Sequence, residues 1–224
     1  SRLAVPAFAT ALALLLAAPA APGQPLTASN PSSTVKLVFI HHSTGENWLR
    51  DEDGGLAIAL RDANYFVSDT NYGWPPEASS DPIGDRTDVG NWYDWFLGSE
   101  SASYLSALYA ESRQTFEYSR RATDPGGTNQ VVMFKSCFPN SNLQGTLADP
   151  VPPIGSNPLR SQDCYSEHHT FANVKGIYQG LLAYFAAHQE KLFVLVTSPP
   201  LTEGSTSPES AALYSSSGAA VAAG

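Results

Sequence analysis

Val35-Lys36-Leu37-Val38-Phe39-Ile40 runs directly into His41-His42-Ser43-Thr44-Gly45. How that junction is read decides the fold. The first six residues are short, apolar, β-branched and aromatic-rich, and bounded by polar neighbours, so they read as a buried strand. The chain then leaves the strand through a small hydroxyl residue and a glycine. A turn of that kind presents Ser43 at the carboxyl edge of a sheet, where open α/β sheets build their sites. Ser43 is then either a nucleophile or a helix cap.

Outward from this junction, apolar strand-like runs alternate with helix-like ones. Residues 56–63 have helical composition, and 65–69 form a second candidate strand. Residues 104–122 read as a helix broken by Asp124-Pro125-Gly126-Gly127. Residues 131–134 form a third candidate strand, 170–189 an amphipathic helix, and 192–196 a fourth strand closed by Pro199-Pro200. Strands of continuous hydrophobicity alternating with helices imply βαβ units and a parallel sheet covered on both faces. Two long irregular stretches, 71–90 and 137–167, interrupt this order. Loops of that length inside a compact domain are more often functional than idle.

A chain of 224 residues is enough for one domain with a sizeable core. Its formal net charge of −9, with twelve Lys and Arg in all, argues against a nucleic-acid surface, which needs clustered cations. At the amino end Arg2 precedes an apolar run, 3–18, followed by Ala18-Pro19-Ala20-Ala21. This predicts a secretory signal peptide over 1–21, a linker over 22–34, no stable membrane span after its removal, and a secreted or periplasmic location. Cys137 and Cys164 either pair in such a compartment or are two unrelated thiols.

A nucleophilic serine needs a base and oxyanion donors. The Ser43 amide, Gly73 in Asn71-Tyr72-Gly73-Trp74, and Asn140 in Ser136-Cys137-Phe138-Pro139-Asn140-Ser141-Asn142 each follow a different parallel strand, so they can converge on one crevice. Each also has a bland reading, as a cap, a turn glycine or a loop amide. His42 and Trp74 are expected as crevice neighbours. Asp81, Asp85, Asp88 and Asp94 share a stretch with Trp74, Trp92, Tyr93, Trp95 and Phe96. That stretch suits either sugar stacking or solvated carboxylates around buried aromatics. No calcium-loop spacing, Cys-x-x-Cys or His-x-x-x-His is present, so neither a metal nor another cofactor is expected.

The strand with HHSTG, then NYGW, FKSCFPNSN and LFVLVTSPPL resembles the SGNH (GDSL-like) hydrolase superfamily, closest to a secreted bacterial branch with HHSTG in the first block. The resemblance covers about 35–201. It implies a three-layer αβα, flavodoxin-like domain, with Ser43 as nucleophile and amide donor and with Gly73 and Asn140 as oxyanion donors. His42 stands where the common motif has Asp, and 135–140 does not spell Gly-x-Asn-Asp, so Asn142 is the other candidate amide. The family's Asp-x-x-His base block has no match, because neither His nor Asp follows Pro200. The expectation is a fragment or a divergent tail over 202–224, with the last strand and the base lying beyond. His168 and His169, which precede the 170–189 helix from a long loop, are the candidate substitute base, while His188 fits a helix end. The resemblance implies hydrolysis of acyl esters, such as those on carbohydrates. The competing expectation is a catalytically incomplete protein that binds carbohydrate through its aromatic stretch.

Overall fold

The computed structural model describes residues 29–77 and 80–197. The expected signal peptide, linker residues 22–28 and the tail from 202 lie outside the described residues. Strands β1 (Val35–Ile40), β2 (Tyr65–Thr70), β3 (Val131–Lys135) and β4 (Leu192–Val196) form one parallel sheet in the order β2-β1-β3-β4. The domain is an α/β layered fold around that sheet, with the strand order of flavodoxin-like sheets. Strands buried on both faces need no polar alternation, which is why β1 and β3 are apolar almost throughout.

Alternation along β1 sorts the two cores. Leu37 and Phe39 pack with Leu49 of α1 (Thr44–Leu49) and Ala57 of α2 (Leu56–Asp62) on one face. Val38 and Ile40 face the other core. It is filled by Trp92, Trp95 and Phe96 of α3 (Trp92–Phe96), Leu105 and Leu108 of α4 (Ser101–Ala110), and Ile177 and Leu181 of α5 (Phe171–Ala187). Thr170 starts α5, its hydroxyl accepting the Asn173 amide at 3.3 Å. None of the described helices is long and apolar enough to cross a membrane.

Two expectations fail here. The helix expected over 104–122 ends at Ala110, and α3 forms inside the aromatic stretch, where only loop was expected. Glu111 ends α4 because its side chain has better partners outside a helix. Buried beside the sheet, it accepts the Ser112 and Arg113 amides at 2.9 and 2.8 Å, the Arg113 guanidinium, and Trp74 Nε1 at 2.6 Å. The chain beyond it runs irregularly past β2, where the Arg113 carbonyl takes the Asp69 amide at 3.4 Å and Arg120 donates to the Val67 carbonyl at 3.0 Å.

Burial pushes the Glu111 carboxyl up, but those donors outweigh burial and hold it at about 2. A carboxyl depressed in the folded state adds stability above its unfolded value, and that stability is lost as pH falls through the folded value. Stability is therefore expected to drop by roughly 3 kcal/mol between about pH 4.5 and pH 2 from this group alone. Urea unfolding at stepped pH should show a flatter acid limb in Glu111→Gln. Equal limbs would exclude the assignment.

Candidate active site

The sheet order places a topological switch between β1 and β3, since the connections from these adjacent strands run to opposite sides. Loops leaving their carboxyl ends form a crevice, as the open-sheet rule requires. The β1 loop contributes His42 and Ser43, and the β3 loop contributes Cys137 and Pro139. The two long irregular stretches supply the walls, among them Tyr72, Asp85 and Asp88 from one and Ser161, Asp163, Cys164 and Tyr165 from the other. The cavity is about 560 Å³, within the range of small-molecule sites. The walls meet at Gly90, where an added Cβ would lie 2.2 Å from the Leu159 carbonyl oxygen and 2.3 Å from that of Gln162.

Ser43 does not cap α1. It occupies the N-cap position without any side-chain cap bond, at φ 51° and ψ −125°, and is solvent-exposed. Residues with a Cβ rarely hold a positive φ, and the conformation costs free energy. The strained strand-to-helix turn lifts the hydroxyl out of the sheet edge, the device by which unrelated hydrolases expose a nucleophilic serine. Gly45, two residues on, is required by packing. A Cβ there would sit 2.5 Å from His41 Cβ and 2.8 Å from Lys135 Cε. Among the described residues, no acceptor is bonded to the Ser43 or Thr44 amide.

The two histidines before Ser43 go opposite ways. His41 turns into the core, where its Nε2 meets Asp69 Oδ2 at 3.1 Å, both side chains fully buried. Asp69 also accepts the Thr115 amide at 3.0 Å, the Thr115 hydroxyl, and the Tyr118 hydroxyl at 2.8 Å. His42 turns into the crevice. Its Nδ1 meets the Tyr72 hydroxyl at 3.1 Å and Cys137 Sγ at 3.2 Å, with the Tyr72 ring stacked on the imidazole at 4.8 Å. Both approach the single lone pair of Nδ1, so with the ring proton on Nε2 they share one acceptor. Burial, then the nearby Lys135 cation, lowers the His42 pKa to about 4, so its imidazole is neutral at ordinary pH. The Ser43 side chain lies near enough to the Tyr72 hydroxyl to favour its ionised form, the smallest of the influences on that phenol. Tyr72 thus stands between Ser43 and His42, bonded to the imidazole.

The other residues singled out in the sequence are placed differently. The Gly73 amide already donates to Asp85 Oδ1 at 2.6 Å. The Asn140 side chain is buried, donating to the Asp88 carboxylate and to the Cys137 carbonyl and accepting the Val89 amide at 2.8 Å. The structure thus brings both beside acidic residues of the crevice wall, with their donors engaged there. Trp74 lies in the core, 4 % exposed, bonded to Glu111 and stacked on Trp95 at 5.6 Å. Trp92, Trp95 and Phe96 are buried as well, so the aromatic stretch is core and not a stacking surface. The exposed crevice aromatics are Tyr72 and Tyr165.

His169 is buried with Nδ1 at 3.3 Å from the Asn142 carbonyl, His168 faces Glu167, and His188 bonds Glu190 after α5. None of these three lines the crevice. Cys137 and Cys164 are both free thiols on its surface. No group of three or more His, Cys, Asp or Glu among the described residues could hold a metal ion. Sequence reasoning missed Tyr72, although it sits inside the NYGW string. A side chain that reaches its partner from another loop leaves no mark in spacing.

Comparison of the chain with protein-family models, with curated proteins and with solved structures finds no match. The chemistry assigned to the crevice therefore rests on its geometry.

Proposed function

We propose that the protein is an exported serine ester hydrolase of SGNH type acting on uncharged acyl esters such as O-acylated carbohydrates. The observation that carries the reading is Ser43: exposed at a sheet switch point, strained, free of any capping bond, and close to Tyr72, whose hydroxyl is bonded to a neutral imidazole. Asp81, Asp85, Asp88 and Asp163 against Arg86 make the crevice net acidic, which disfavours anionic substrates and suits neutral polyols. The apolar run behind Arg2 supports export.

In the proposed reaction Ser43 Oγ attacks the ester carbonyl, and its proton passes through the Tyr72 hydroxyl to His42 Nδ1. The carbonyl oxygen gains charge beside the unengaged Ser43 and Thr44 amides. The alcohol leaves with a proton returned along the relay, and water then attacks the acyl–serine bond to restore Ser43. A histidine bonded directly to the serine is the usual arrangement. Here an indirect contact through a phenol takes its place.

The test uses a p-nitrophenyl acyl ester together with a fluorophosphonate that labels nucleophilic serines. Turnover and a mass adduct on the Ser43 peptide are expected, both absent in Ser43→Ala. An adduct on any other serine would overturn the assignment. The base also has a pH signature. As pH falls through about 4, His42 gains a proton and ceases to accept, so the acid limb of kcat/KM should lie near 4. A limb near the ordinary imidazole value of about 6.5 would assign the base elsewhere.

A further inference from the structure

We infer that Cys137 is a second nucleophile of the crevice, a thiol activated by His42 that exchanges with small disulfides. Cys137 is the first crevice residue after β3, across the switch point from Ser43, and lines the same cavity. Its Sγ lies 3.2 Å from His42 Nδ1, within hydrogen-bond reach of a base, which is the diagnostic contact of an activated nucleophile. Lys135 Nζ lies 3.9 Å from the same sulfur and is buried, so a positive charge stands ready beside the thiolate. The esterase reading leaves this thiol without a task, and the inference holds whether or not Ser43 turns over esters.

Cys164 provides an internal contrast on the opposite wall. Burial and the neighbouring Asp88 push its thiol up to about 12, because the group beside it is a carboxylate whose negative charge opposes a thiolate. Two thiols of one cavity therefore differ in their neighbours, an imidazole and an ammonium beside the more buried Cys137 and a carboxylate beside Cys164.

In the exchange step His42 Nδ1 takes the Cys137 proton and Sγ attacks one sulfur of the disulfide. A new S–S bond forms, the old one breaks, and the departing thiolate leaves with the electron pair and takes up the proton from His42. The disulfide is the only co-reactant, and two sulfurs exchange partners with no net oxidation. The four aspartates of the walls favour a neutral or cationic disulfide over an anionic one. The mixed disulfide would occupy the floor of the crevice beside His42, so the modification would also close the site to other ligands.

The experiment treats the native protein with neutral dithiodipyridine and follows thiopyridone release, with peptide mass spectrometry to assign each thiol. Cys137 should react about a hundredfold faster than Cys164, at the lower end of what a positioned base contributes. In His42→Phe, with the fold verified by circular dichroism, Cys137 should slow by about the same factor. Lys135→Met should slow it as well. A Cys137 rate no higher than that of Cys164, or one unchanged in folded His42→Phe, overturns the inference. Should His42→Phe fail to fold, the ratio of the two thiols in the unaltered chain decides.

Discussion

Ser43→Gly is expected to abolish ester turnover while making the protein more stable. The strain at φ 51° and ψ −125° is worth about 1–2 kcal/mol for a residue with a Cβ and almost nothing for glycine. Glycine adds conformational freedom to the unfolded chain, which takes back about 0.5–1 kcal/mol. The expected net gain is about 1 kcal/mol or less, a rise of up to a few degrees in the thermal midpoint for a domain of this size. Turnover should fall by about a thousandfold or more, as when a serine nucleophile is removed from other hydrolases. Ser43→Ala separates the two effects, since alanine loses the hydroxyl but keeps the strained Cβ. Calorimetry alongside turnover would then show glycine above wild type and alanine not. A destabilised Ser43→Gly would mean that the turn stores no strain.

The largest loss of stability should come from Asp69→Ala. Asp69 is fully buried at the end of β2 and answers His41, the Thr115 amide and hydroxyl, and the Tyr118 hydroxyl. Removing it strands three side chains and an amide in the interior. Breaking a buried charged network by deleting one partner costs about 3–5 kcal/mol. His41 is the most exposed to the loss, because its Nδ1 already has no partner. Burial, followed by the Asp69 charge, raises the Tyr118 hydroxyl well above its ordinary pKa, so that hydroxyl stays a donor. Urea unfolding measures the loss, and the Thr115 amide should exchange with solvent much faster in the variant. A change below 1 kcal/mol would show that the network contributes no more than a surface pair.

Much of the scaffold was legible beforehand because β1 to β4 are short apolar runs between polar breaks. Their observed bounds match the pattern to within a residue. The amphipathic spacing of Val174, Ile177 and Leu181 also located α5. What misled was composition without context. The stretch after Ala110 has helix-forming residues, yet Glu111 finds Trp74 across the fold and Arg113 two residues on in a non-helical turn, and such partners override propensity. Trp92 and Trp95 look like a binding surface in the one-dimensional string and are core in space. Around Ser43 the position was readable and the wiring was not. Spacing cannot say that the Gly73 amide and the Asn140 side chain are held by Asp85 and Asp88, nor that Tyr72 bonds His42 beside Ser43.

The pleat of β1 continues one step past the strand, and this makes His41-His42 a molecular ruler. Leu37, Phe39 and His41 share one face of the sheet; Val38, Ile40 and His42 share the other. Two chemically identical neighbours therefore answer to different masters, one to the fold and one to the crevice, by parity of position alone. A single residue inserted between Ile40 and His41 would exchange their allegiances, since a one-residue slip turns every side chain to the opposite face. Evolution can vary either histidine by substitution, but it can lengthen this junction only in steps of two.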